Sequence, residues 1–333
     1  MKGKKAFELQ FNWIFVLVAG AAILLFFATV VIKQKSISEA STKTTVLKSI
    51  DAIITGASVT IDTTKIESIP YSQIDVECNR VSIGGISRQY QNLILFSPAS
   101  IRGSKFVWQT DAFGVPYRTT NFLFITSQEV RYIIIGGNSL AKAINKSMPL
   151  SLNKEFYTAL PEIKNSNDYA VRFIVFGDII AFPASLQKMP DSDVTMLKIS
   201  GDANKGELDF YQKSGNSWML KGNSFYIGKP SLLAAAYTDA FGVYQCNMQN
   251  VFSRMKLVTK IYSEKVNELL KSASSIKQSS CGQFYSSALA AINKIYSASS
   301  NFNKESVETI TDSAKSLADE NRNAQIYSCP LIY

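Results

Sequence analysis

The chain has 333 residues, 46% of them hydrophobic and 18% charged, with a formal net charge of +9. That content is ordinary for one large domain or two modest ones and argues against disorder over most of the chain. Histidine is absent, which excludes Ser-His-Asp and Cys-His catalytic pairs, HExxH zinc chemistry and the imidazole general base.

An enzyme built on this chain would have to work through carboxylates, Lys, Tyr, Ser or a borrowed subunit. No such constellation is recognisable, so no catalytic residue, cofactor or metal is expected and the role is read as non-catalytic. Apart from Lys4-Lys5 the lysines are scattered singly and form no runs, so the charge reads as a solvated surface suited to anionic lipid headgroups or surface polysaccharide. Nucleic acid is not an expected partner, because no basic stripe interleaved with aromatics occurs.

Residues 1–10 open with "MKGKK" and read as a cytoplasmic tail. Residues 11–32 carry no charge, and about 22 residues at 1.5 Å each span roughly 33 Å, enough to cross a bilayer core. A cleaved signal has an apolar stretch of only about 7–15 residues; here the run continues past Ala19-Gly20-Ala21-Ala22 through "ILLFFATVVI" to Lys33. The segment therefore reads as a retained single-pass anchor, with Asn12 and Trp13 at headgroup level. Lys2, Lys4 and Lys5 favour a cytoplasmic N-terminus, while Lys33 and Lys35 weaken the asymmetry. Residues 33–58, around "SEASTKTTVLKSIDAIITG", read as a stalk helix.

Residues 59–228 read as an α/β ectodomain. Strands are expected at "IDVECNRVSI", "NLILFS", "NFLFIT", "VRYIII", "AVRFIVF", "VTMLKIS", "GELDFYQ" and "SWMLKGNSFYI". Helices are expected at "SKFVWQTDAF", "SLAKAINK" and "NKEFYTAL", giving a mixed sheet with flanking helices. Continuous apolar runs such as "YIII" and "RFIVF" suit central strands covered on both faces, and the three later strands suit an antiparallel meander. The hexapeptide "TDAFGV" occurs at Thr110–Val115 and at Thr238–Val243. Its flanks do not align, so each copy is expected to end or interrupt a helix with Gly114 or Gly242 as a left-handed cap.

Within this region "YIIIGGNSLAKAIN" has the order strand, two glycines, cap, helix, without the GxGxxG or Lys-Ser/Thr signature of a phosphate loop; Asn138 or Ser139 is expected to cap the helix. Asp191, Asp193, Asp202, Asn204 and Asp209 are oxygen ligands of the kind calcium takes, but they miss the EF-hand spacing and read as polar turns. Asp178 follows "FIVFG" at the carboxyl end of a central strand, where α/β folds place ligands. Asn145-Lys146-Ser147 is a glycosylation acceptor if exposed on an exported domain.

Residues 229–333 read as a disulfide-linked antiparallel three-helix unit, with helical periodicity at Val251–Leu269, Tyr285–Ile295 and Val307–Leu317 and a cap at Asn303. Export makes two disulfides the default for Cys78, Cys246, Cys281 and Cys329, and their wide spacing speaks against zinc. Cys281 starts the second helix and Cys329 follows the third, at one end of the unit. Cys246 lies a helix length away, about 38 Å, too far for either. The expected pairs are Cys281–Cys329 and Cys78–Cys246.

Lys2-Gly3 and Glu8, ahead of the apolar run, resemble the prepilin-type signal, in which a peptidase cuts after a glycine preceded by lysine and the fifth-position glutamate registers the subunit in a filament. That resemblance implies a pilin-like filament subunit processed at Gly3; Lys4, Lys5, Gln10 and Asn12 depart from its pattern. The stretch "ELQFNWIFVLVAGAAILLFF" together with "SCPLIY" resembles uncharacterised single-pass membrane proteins of small-genome (DPANN) archaea, which implies an archaeal cell-surface protein and brings no catalytic residues. Taken together, the reading is a signal-anchored plasma-membrane protein with an extracellular C-terminal domain and a structural or recognition role. Its partners would be the bilayer and another envelope protein, a glycan or a second copy. A small-molecule-binding or sensory ectodomain is the alternative from another class.

Overall fold

The computed structural model describes residues 4–90, 93–164, 169–275 and 279–333, in two compact units, Met1–Asp51 and Ala52–Tyr333. The described residues of the first unit are helical, as part of α1 (Lys4–Val59). Trp13–Lys35 is long and apolar enough to cross a membrane, and none of it is buried. The segments expected to be anchor and stalk both fall within α1. Its hydroxyl residues fold back on the preceding turn, as in Thr42 to the Ser38 carbonyl and Thr45 to the Ser41 carbonyl, each at 3.0 Å, so the polar stretch keeps helical geometry. Gly3 lies outside the described residues, and Glu8 falls within α1.

The second unit holds two six-stranded sheets. The first comprises β1 (Thr64–Glu77), β2 (Arg80–Ile83), β3 (Ile86–Gln89), β4 (Leu95–Phe96), β5 (Ser100–Gly114) and β6 (Arg118–Ser127), in the order β3-β2-β1-β5-β6-β4. Every pairing is antiparallel except β4 with β6. The chain then passes directly into the second sheet at β7 (Val130–Ile135), followed by α2 (Ser139–Ser147), β8 (Lys154–Tyr157), β9 (Ala170–Phe176), β10 (Val194–Gly201), β11 (Lys205–Ser214) and β12 (Ser217–Ile227). Its order is β12-β11-β10-β9-β7-β8. The strands β8, β7, β9 and β10 run parallel, and β10, β11 and β12 form the antiparallel meander.

Side chains along the central strands alternate between two apolar layers. Tyr132, Ile134 and Ile174 face one core; Ile133, Ile135, Val171, Phe173 and Val175 face the other. This is why those strands read as unbroken apolar runs. The first core continues without a break from the sheets into α3 (Gly228–Tyr237), α4 (Phe241–Ser275), α5 (Ser279–Ala298) and α6 (Lys304–Ile326). Mixed sheet, flanking helix and three C-terminal helices match the expected fold class, but the strands fall into two sheets and not one. Asn303 caps α6, accepting from the Ser306 N–H at 2.9 Å.

Two helix expectations are corrected. "SKFVWQTDAF" belongs to β5 and "NKEFYTAL" supplies β8. In β5 the β-favouring Val107 and Trp108 are paired on both sides, with β1 and β6, and Thr110 and Phe113 are paired with β6, so tertiary pairing decides the conformation. In β8 the edge position is held by Arg131 of β7, whose Nε and Nη2 grip Glu155 at 2.6 and 3.1 Å.

The hexapeptide repeat is also corrected. Its first copy is strand, at the end of β5, and its second spans the junction from α3 to α4. Neither Gly114 nor Gly242 takes positive φ, so neither is a left-handed cap. One six-residue string takes two conformations because its neighbours differ: β6 pairs antiparallel with the first copy and the end of α3 precedes the second.

Cys78 is bonded to Cys246 and Cys281 to Cys329, with Cα separations of 6.0 and 5.8 Å. After α6 the chain folds back. Asn321 Oδ1 accepts from the N–H groups of Ile332 and Tyr333 at 2.8 and 3.3 Å, and Tyr285 donates to the Pro330 carbonyl at 2.9 Å.

On β11 the Lys213 side chain is only 4% exposed and donates to Asp191 at 2.5 Å. Asp191 also accepts from the Gly215 N–H at 3.2 Å. The Lys213 hydrogen bond, then that N–H, hold the Asp191 carboxyl below the usual carboxylate range. A depressed pKa contributes stability that is present above the unfolded-state value and lost as pH falls through the folded-state value. Asp191→Asn is expected to melt below the wild type at about pH 6 and to converge with it near about pH 2. A gap in melting temperature that does not shrink with acid would contradict this.

Candidate functional site

The described residues form a partly open cavity of about 400 Å³ where β7, β9 and β10 begin, bounded by the Pro98–Ala99 turn, the start of β5 and the first turn of α4. It lies at the amino ends of the parallel strands, whereas the sequence pointed to their carboxyl ends. Gly222 on β12 contributes to its shape. A Cβ there would meet the Phe241 ring at 2.6 Å, so only glycine lets the first turn of α4 close against the sheet.

Arg172 of β9 forms the floor. It is 2% exposed, and its Nε and Nη2 donate to the carbonyls of Ala236 and Ala235, each at 2.8 Å. Nη2 also donates to the Thr238 carbonyl and Nη1 to Thr195 Oγ1 at 3.1 Å. Carbonyls at a helix C-terminus lack intrahelical partners, and one planar guanidinium serves the end of α3 while opposing the helix dipole. Burial lowers the Arg172 pKa to about 10, with Asp239 and Tyr132 pushing it back up, so the charge is kept at neutral pH.

Asp239 follows at the α3–α4 junction. Its carboxylate accepts from the Ala99 N–H at 2.7 Å. Burial raises its pKa, opposed by Arg172 and by the N–H groups of Ala99, Asp239 itself and Ala240. The second copy of the hexapeptide thus supplies a charge to the cavity wall.

The opposite wall comes from the start of β5. Arg102 has a side chain 36% exposed, and its Nη1 lies 3.7 Å from Asp193 Oδ2. Its backbone N–H donates to the Tyr169 hydroxyl at 3.1 Å, and its guanidinium carbon lies 5.6 Å from the Tyr169 ring centre. Burial, the largest influence, raises the Tyr169 pKa, so the phenol stays protonated. Arg102 Nε and Ser100 Oγ are buried and have no protein hydrogen-bond partner.

The residues singled out from sequence lie elsewhere or are engaged. Asn138 caps α2, accepting from the Ala141 N–H at 2.8 Å. Gly136 is needed for packing, since a Cβ there would meet Phe176 Cβ at 2.7 Å. Asp178 is exposed at the carboxyl end of β9. Asn145 is half-buried in the last turn of α2, and its carbonyl accepts from Lys154 Nζ at 2.5 Å.

Of the calcium-type oxygens, Asp193 faces Arg102, Asp202 accepts from the N–H groups of Asn204 and Lys205 at 2.7 and 3.1 Å, and Asp209 pairs with Lys198 at 3.3 Å. Among the described residues no group of three or more His, Cys, Asp or Glu could hold a metal ion. Two carboxylates do meet outside the cavity: burial and then Asp62 raise the Asp111 pKa.

Sequence reasoning missed Arg172, Arg102 and Asp239. An arginine in the midst of "AVRFIVF" was the available signal, because a buried charge requires dedicated partners. No protein-family model matches this chain, and no curated protein or solved structure matches it.

Proposed function

We propose that the protein is a membrane-anchored envelope protein whose exported domain has a non-catalytic structural or recognition role toward another envelope protein, a glycan or a second copy. The observation that carries this reading is the unburied apolar stretch Trp13–Lys35, whose length and composition suit a bilayer. The two disulfides support an oxidising, extracellular location for the following domain, with the N-terminus cytoplasmic. Asn145 would be the glycosylation acceptor.

The test is extraction of membranes from expressing cells at alkaline pH. The wild type should stay in the pellet. Leu24→Arg with Leu25→Arg places two charges near the middle of the span, at about 2.5–3.5 kcal/mol each on insertion scales, and should move the protein to the supernatant or abolish its export. Release of the wild type at alkaline pH would count against anchoring. A pilin-like filament subunit is the reading tied to Gly3 and Glu8, and the mass of the mature N-terminus separates it, since processing removes "MKG".

The cavity favours a second reading, a small-molecule-binding or sensory ectodomain. Pockets of this kind carry a few convergent polar groups in an otherwise apolar wall.

A further inference from the structure

We propose that the cavity at the amino ends of β7, β9 and β10 binds a small carboxylate, with Arg102 as its counter-ion and Ser100 and Tyr169 as flanking donors. The inference deepens the ligand-binding reading and does not depend on the membrane anchor.

Three observations carry it. The first is size: about 400 Å³ lies toward the lower end of small-molecule sites, which run from about 300 to 1,000 Å³. The second is charge. Arg102, Arg172 and Lys221 line the cavity against Asp193 and Asp239, which leaves one positive charge unmatched. A dianion such as phosphate would meet two carboxylates in the wall; a monoanion balances the site.

The third is the hydrogen-bond inventory. Arg172 is committed to three carbonyls and Thr195. Asp239 is served by backbone N–H groups, and Asp193 accepts from the Ser192 hydroxyl at 2.8 Å. Among the described residues that line the cavity, the buried side-chain atoms left without a partner are Arg102 Nε and Ser100 Oγ, both able to donate. A buried donor left unmade costs about 1–3 kcal/mol, so two such donors on residues of one cavity wall favour an acceptor as the ligand.

The contact between Arg102 Nη1 and Asp193, at 3.7 Å, is too long for a hydrogen bond. The guanidinium is therefore not held in a fork by that carboxylate and remains able to grip another. Tyr169, protonated and packed beside the guanidinium, can donate to the same ligand.

The test is calorimetric titration and thermal melting of the full-length protein in detergent micelles with sodium lactate, glutamate and glucuronate, beside glucose and inorganic phosphate. At least one of the three carboxylates should bind and raise the melting temperature by mass action. Arg102→Gln should weaken that binding roughly tenfold or more, and Ser100→Ala by a smaller factor. Arg118→Gln, whose guanidinium bonds Asn121 on β6, should leave it unchanged.

The proposal is overturned if none of the three acids binds, if phosphate or glucose binds as well as the best acid, or if Arg102→Gln binds like the wild type. If Arg102→Gln does not fold, Ser100→Ala decides: it removes a single oxygen, and unchanged affinity overturns the proposal. Alkaline extraction reads none of these outcomes, so the anchor and the ligand site fail separately.

Discussion

Replacing Arg172 with Met is expected to lower the unfolding free energy by about 3–5 kcal/mol, the range seen when one partner is removed from a buried charged network. The guanidinium is sealed from solvent and donates to three carbonyls around the end of α3. A thioether of similar length fills the space but donates nothing, so the carbonyls are stranded and Asp239 loses its neighbouring cation. Arg172→Lys should recover only part of the loss, because one ammonium cannot reproduce the planar fork. Urea unfolding in micelles, followed by tryptophan fluorescence, gives the midpoint and slope. A loss below about 1 kcal/mol would mean that the carbonyls find water and that Arg172 is not what holds α3. Because Arg172 is also the cavity floor, the Met variant should lose carboxylate binding together with stability.

The second large effect is expected at the disulfides. Cys78 and Cys246 are 168 residues apart in sequence, and closing such a loop in the unfolded chain is worth about 5 kcal/mol in the chain-entropy model; the separation of 48 for Cys281 and Cys329 gives about 4. Measured values usually fall below these figures, so paired serine variants should each lose about 2–5 kcal/mol, the longer loop losing more. Local consequences should differ. Cys78 sits in the turn between β1 and β2, where Asn250 of α4 also donates to Asn79 at 3.1 Å. Losing that staple should speed hydrogen exchange across β1, β2 and β3 first. Losing Cys281–Cys329 should instead loosen the chain after α6, where Asn321 holds Ile332 and Tyr333. Equal exchange in both variants would show that the two bonds act only on the unfolded state.

The parts of this fold that were legible from sequence are those whose determinants are local or geometric. The anchor announced itself by uninterrupted apolarity, the parallel core by "YIII" and "RFIVF", and the meander by polar turns between alternating runs. The cysteine pairs followed from the lengths of the helices that separate them. What was not legible depended on partners distant in sequence. The strand state of "SKFVWQTDAF" is imposed by β1 and β6, and the first sheet was visible only in fragments because its longest strands read ambiguously. The cavity was invisible for a related reason: Arg102, Arg172 and Asp239 come from three separate elements, and none carries a local motif. Fold analogy pointed to Asp178 at the carboxyl ends of the strands, whereas the cavity lies at their amino ends, beside the α3–α4 junction.

The long disulfide also bears on how the protein is made. On the exported reading, with synthesis at about 5–20 residues per second, Cys78 emerges roughly 8–34 s before Cys246. For that interval the first sheet must persist with an unpaired thiol at its hairpin tip, in a compartment that favours oxidation. Cys246 is also the first of the other cysteines to follow, ahead of Cys281 and Cys329. On that reading, order of appearance presents Cys78 with its native partner before Cys281 and Cys329 are made, which favours the observed pairing.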